Sequence, residues 1–162
     1  MVTGLCFITS FACAQVDPTD SLPGDPGAIT VYNVQNMSFG AFSTGSTGGS
    51  VIISTNGLRT VTGNVVPLNL GVQYFQAIFD IDAPVGSIVS ILNGPDAILT
   101  GSNGGSMSMH IGGSNPPSPF ITMAAQPLRT QVSIAGTLSV GTPAANPPGS
   151  YNGTFYITFN QE

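Results

Sequence analysis

His110 is the only histidine of the chain, in Met107-Ser-Met-His110-Ile111, and no nucleophile-elbow pattern lies near it. A hydrolytic triad would need that imidazole between a hydroxyl and a carboxylate. It reads instead as an ordinary strand histidine. The two cysteines, Cys6 and Cys13, both fall in the first fourteen residues. A His/Cys metal site in the rest of the chain is therefore excluded. Asp80 and Asp82 are two apart on a strand-like run and project from one face. Such a pair can hold calcium or divide acid and base roles. Calcium takes about six to eight oxygens, and only Asp96 is within easy reach in sequence. Asp80, Asp82 and Asp96 are thus weak metal candidates. Nucleophile, base and orienting group cannot be assembled from these residues, so the expectation is a protein without enzymatic activity or cofactor.

Gly45-Ser-Thr-Gly-Gly-Ser50 and Gly101-Ser-Asn-Gly-Gly-Ser106 echo one another. A phosphate cradle of this kind needs a helix N-terminus behind it, usually with a lysine. Lysine is absent, and both runs lead into β-like segments. Tight turns at positive φ account for them better. Arg59 and Arg129 are the only basic side chains. Each reads as structural, pairing with a carboxylate or capping carbonyls. Asn36-Met-Ser38 and Asn152-Gly-Thr154 match the glycosylation acceptor pattern, as chance allows in a chain so rich in Asn, Ser and Thr.

The elements that position these residues follow from composition. Of 162 residues, 41% are hydrophobic and 6% charged, with a formal net charge of −5. An ordinary domain carries about 25% charged residues. Nucleic acid is excluded as a partner, because binding it needs clustered Lys and Arg. A basic membrane-surface helix is excluded for the same reason. The 21 glycines and 13 prolines argue against a helical bundle, and the apolar fraction argues against disorder.

Residues 1–14 contain an apolar run too short to span a membrane, ending in Ala12-Cys13-Ala14. That small-x-small ending predicts a secretion signal with a mature start at Gln15. The competing expectation is that the segment stays and forms a buried first strand, since no Lys or Arg precedes the run. Residues 15–28 hold three prolines and three acids and predict a leader. Residues 29–162 predict one β domain. Alternation of period two is strongest in Phe75–Ile81, Val132–Val140 and Tyr151–Asn160, which gives each a buried and a wet face. Weaker strands are expected at Ile29–Val34, Met37–Phe42, Ser50–Ser54, Asn64–Leu68, Ser87–Leu92, Ala97–Thr100 and Ser106–Ile111. Turns are expected at Thr44–Gly49 and Gly101–Gly105, and a long crossover or irregular loop at Gly112–Pro127. Eight to nine short strands predict an all-β, immunoglobulin-like antiparallel sandwich, with a closed barrel as the competitor.

Three blocks carry a family resemblance. They are Met37-Ser-Phe-Gly-Ala-Phe42 with Gly49-Ser-Val-Ile-Ile-Ser54 and Gly57-Leu-Arg59; Phe79-Asp-Ile-Asp-Ala-Pro-Val-Gly86; and Ala135-Gly-Thr-Leu-Ser-Val-Gly141 with Pro148-Gly-Ser-Tyr-Asn-Gly-Thr-Phe-Tyr-Ile-Thr-Phe-Asn160. Over about residues 35–162 the chain resembles the secreted bacterial family called domain of unknown function 4402. Its ending is also similar to that of pilin-like domains of the spore-coat-U and fimbrial type. That resemblance implies a subunit of a cell-surface filament, its incomplete sandwich finished by a strand from the next copy. The expected assembly edge is Tyr151, Phe155, Ile157 and Phe159. Its expected donor is Ile29, Val31 and Val34, or Leu5, Phe7 and Phe11 if the first residues are retained. The implied partners are other copies of the chain, outer-membrane assembly machinery, and host or environmental glycans. The alternative expectation is an adhesion or carbohydrate-binding module using Phe120, Asn103 and Asn115.

Overall fold

The computed structural model describes residues 6–14 and 29–162 except Gln126. The described residues form strands and no helix: β1 (Cys6–Ala14), β2 (Thr30–Gln35), β3 (Phe42–Ile53), β4 (Arg59–Pro67), β5 (Ala77–Asp82), β6 (Ile88–Asn93), β7 (Ala97–Gly101), β8 (Ser106–Asn115), β9 (Phe120–Ile121), β10 (Thr130–Val140) and β11 (Gly149–Gln161). Eleven strands replace the expected eight to nine. The first segment supplies β1, and the two-residue β9 forms inside the expected loop.

The fold is an antiparallel β-sandwich. The ladder runs β2-β5-β10-β8-β7-β11-β1-β3-β4, with β6 on β11 and β9 on β6. Phe79 of β5 packs on Phe159 of β11 with ring centroids 5.4 Å apart, so the two layers meet through aromatic side chains. The alternation read from the sequence sets the core. Ala77, Phe79 and Ile81 are buried, as are Val132, Ile134, Leu138 and Val140, and Tyr151, Phe155, Ile157 and Phe159. Each large apolar side chain removed from water contributes about 1.5–3 kcal/mol. Phe75 departs from the expected face. It lies before β5, is 38% exposed, and instead exchanges two backbone hydrogen bonds with Ser38 at 2.9 and 2.8 Å.

Strand β10 belongs to both layers. It pairs with β5 through Thr130–Ile134 and with β3 through Gly136–Val140. The register against β8 shifts between Ile134 and Gly136, so the bend sits at the glycine. A Cβ on Gly136 would collide with the sulfur of Met37, and the missing side chain lets Met37 lie over the bend.

Three expectations on local structure are corrected. Thr44–Gly49 is no turn, because β3 runs through it with a bulge between Thr44 and Gly49. Gly49 faces Gly63 across β4, and Gly48 and Gly63 hold φ of 69° and 66°. Two glycine positions meeting across the ladder let the strand bulge where a turn was expected. Met37–Phe42 is no strand before Phe42, since Gly40 at φ 71° breaks the extended line. In Gly112–Pro127, β8 continues to Asn115 and β9 follows two cis X-Pro bonds, Asn115–Pro116 and Ser118–Pro119. The Gly101–Gly105 turn is present. Gly101 donates to the Gly105 carbonyl at 3.1 Å, and Gly104 and Gly105 hold φ of 88° and 76°.

Candidate interaction edge

Strand β11 is held first by its own side chains. Tyr151 is wholly buried, and its hydroxyl donates to the Pro147 carbonyl at 2.7 Å, tying the start of the strand to the turn before it. Phe155, Ile157 and Phe159 follow on the same inner face. One side of β11 is shared in sequence. β7 pairs with Tyr151 and Asn152, and β6 pairs with Ile157–Gln161.

The other side of β11 carries β1. The two strands run parallel in unbroken register, from Cys6 opposite Gly149 to Ala14 opposite Ile157. Every other strand pairing among the described residues is antiparallel. At its start β1 also meets β3, with Cys6 opposite Phe42. Backbone pairing therefore closes a ring, β10-β8-β7-β11-β1-β3 and back to β10. β1 is the one link in that ring drawn from residues 1–28. The register sets Phe7 and Phe11 level with Ser150 and Thr154, and Ile8, Ala12 and Ala14 level with Tyr151, Phe155 and Ile157. Leu5 and the leader 15–28 lie outside the described residues.

Of the two expected donors, the segment with Phe7 and Phe11 lies beside β11 within this copy and the segment of Ile29, Val31 and Val34 does not. Ile29 directly precedes β2, and Val31 and Val34 lie on it; β2 pairs antiparallel with β5, Val31 opposite Ile81. Ile29 and Val31 pack partly against the core, whereas Val34 is 54% exposed. Within one copy this segment therefore lies on β5, away from β11. Ile29 and Val31 serve the β5 edge of their own copy.

Arg59 caps carbonyls, as expected, whereas Arg129 stacks on an aromatic ring. Arg59 donates from Nη1 to the carbonyls of Phe39 and Ala41 at 3.1 and 3.2 Å and stacks 4.3 Å from the ring centroid of Tyr74. Arg129 lies 3.7 Å from the ring centroid of Tyr32. Their aromatic partners are distant in sequence, and nothing local signalled them.

The weak metal candidates are not brought together. Asp80 and Asp82 sit half-buried on β5, opposite Tyr32 and Thr30 of β2. Asp96 instead pairs with Nδ1 of His110 at 2.7 Å, on side chains 54% and 70% exposed. No group of three His, Cys, Asp or Glu residues placed to hold a metal occurs among the described residues. Of the expected glycan contacts, Phe120 is 8% exposed and Asn103 donates to the Pro148 carbonyl at 2.7 Å, while Asn115 is exposed.

A family model described as Domain of unknown function (DUF4402) matches residues 29–160. No curated protein matches the chain. The family match begins at the residue before β2, so the strand lying beside β11 comes from outside it.

Proposed function

The chain belongs to the DUF4402 family, and we propose that it is a secreted, non-enzymatic structural subunit of a bacterial cell-surface filament, pilus-like in construction. Copies assemble by β-strand addition at the β11 edge. Residues 1–14 supply the export signal, and the protein works outside the cell or on its surface.

One observation carries this reading: the family-matched residues complete their backbone ring only with β1 lying between β11 and β3. Without that strand, β11 presents a row of unpaired backbone groups above buried Tyr151, Phe155 and Ile157. Such an edge is a template for another chain. A surface with few charges adds little repulsion between like copies. The adhesion reading is less favoured, because Phe120 and Asn103 are already used within the fold.

Negative-stain microscopy of the exported protein tests the proposal. Filaments or ladders of oligomers are expected. A processed protein that stays monomeric at every concentration overturns it.

A further inference from the structure

We infer that a second copy of the chain docks head to tail through two exposed apolar patches, one centred on the guanidinium of Arg59 and the other on the carboxylate of Asp96, so that the two charges pair between copies. The contact is made by side chains and not by a shared ladder, and it does not rest on the filament reading.

The first patch is built around a fixed cation. Nη1 of Arg59 donates to the carbonyls of Phe39 and Ala41, at 3.1 and 3.2 Å. The guanidinium lies against Gly40 and 4.3 Å from the ring centroid of Tyr74, so its position is set. Nε and Nη2 have no acceptor among the described residues, and no carboxylate there comes within ion-pair distance of this side chain. Arg59 is half-buried. A cation partly removed from water is stabilised by a carboxylate that meets its free donors. Apolar side chains surround it in water. Tyr74 and Phe75 are exposed. So is Leu58, whose turn meets the residue after Phe75: a Cβ on Gly57 would stand 2.7 Å from Oε1 of Gln76.

The second patch holds the opposite charge. Oδ1 of Asp96 meets Nδ1 of His110 at 2.7 Å, which orients the carboxylate and leaves Oδ2 without a partner among the described residues. Ile98, two residues on, projects from the same outer face. Tyr156 and Leu92 extend the patch. Gly94 donates to the Tyr156 carbonyl at 3.0 Å, and Leu92 stands opposite Thr158, two residues along β11 from Tyr156. Ile98, Tyr156 and Leu92 are all exposed. Contiguous apolar surface of this kind marks a protein partner.

The two charges cannot meet within one copy. Thr60 stands opposite Ile52, Ile52 opposite Thr137, and Thr137 opposite His110. Asp96 lies one strand further, on His110. Successive strand spacings of about 4.8 Å therefore place Asp96 roughly 19 Å from Thr60. Arg59 is further removed, because it projects from the other face of β4, level with buried Ile53. A cation and a carboxylate, each ringed by apolar side chains and held apart on one molecule, complement each other between molecules. The two patches differ, so the contact is heterologous and each copy can bind two others. The occupant of each patch is the other patch of a second copy.

Sedimentation velocity of the full chain in reductant tests the contact. In that chain β1 lies beside β11, so strand exchange at that edge does not contribute. Self-association that weakens as salt rises is expected. Leu58→Asp sets an acid against the incoming Asp96, and Asp96→Arg sets a base against Arg59. Each variant alone should be monomeric where the parent associates. An equimolar mixture of the two should associate again, because each supplies the patch that the other has lost. Asp96→Asn, close to the parent in volume, should associate about tenfold more weakly, as loss of a charged hydrogen bond implies. That variant also decides the matter if a charge-reversed chain fails to fold. A parent that stays monomeric, an Asp96→Asn chain that associates as tightly as the parent, or a mixture of folded variants that stays monomeric overturns the inference.

Discussion

The side chain of Arg59 closes over Gly40: a Cβ on Gly40 would stand 2.8 Å from Nη1 of Arg59. The same nitrogen donates to the carbonyls on either side, of Phe39 and Ala41. Gly40 holds φ of 71°, a conformation that costs an L residue about 1–2 kcal/mol. The pair thus fixes the irregular stretch between β2 and β3. Arg59→Ala should destabilise the fold by about 2–3 kcal/mol, from charge-assisted hydrogen bonds and the stack on Tyr74. Arg59→Lys should recover less than half of that, because one ammonium cannot both span the carbonyls and stack. Urea midpoints of the three proteins decide it.

Tyr151→Phe removes only a hydroxyl, yet leaves the Pro147 carbonyl without its 2.7 Å partner. A loss of about 1–2 kcal/mol is expected, read from thermal unfolding. An unchanged melting temperature would show that the tie between β11 and its preceding turn is dispensable.

Gly136 and Met37 should couple. Gly136→Ala drives a methyl into the Met37 thioether and should cost about 1–3 kcal/mol. Met37→Ala empties a buried site and should cost about 2–5 kcal/mol. Together they should cost at least ~0.5 kcal/mol less than the sum, because the small residue at 37 makes room for the methyl at 136. A double-mutant cycle in urea measures the difference, and strict additivity would refute the contact.

The hydrogen bond between Asp96 and His110 is expected to contribute little. Both side chains are more than half exposed, so solvent screens the pair and it should be worth at most about 0.5 kcal/mol. His110→Ala should leave unfolding midpoints within error of the parent. A larger effect would point to a role for this face beyond a strand surface.

Trypsin can cut at only two places, after Arg59 and after Arg129. Arg59 opens β4 with its guanidinium engaged, and cleavage there should await unfolding. Arg129 is exposed and lies outside any strand, directly before β10. Limited proteolysis of the folded protein should therefore release fragments from the second position first. Early cutting after Arg59 would contradict the strap over Gly40.

Local pattern determined much of this molecule. Period-two alternation in β5, β10 and β11 depends only on neighbours in the chain, so the buried faces could be read directly. Tertiary structure decided the rest, because the deciding contacts join residues that no sequence window holds together. The glycines of β3 became a bulge when Gly49 met Gly63 across the ladder. Ile29 and Val31 had the right pattern to cover an edge, but which edge depended on where β5 lay. The pairing of β1 with β11 joins segments from near the two ends of the chain. A strand's apolar pattern states that it will be covered; only the assembled sheets state by what.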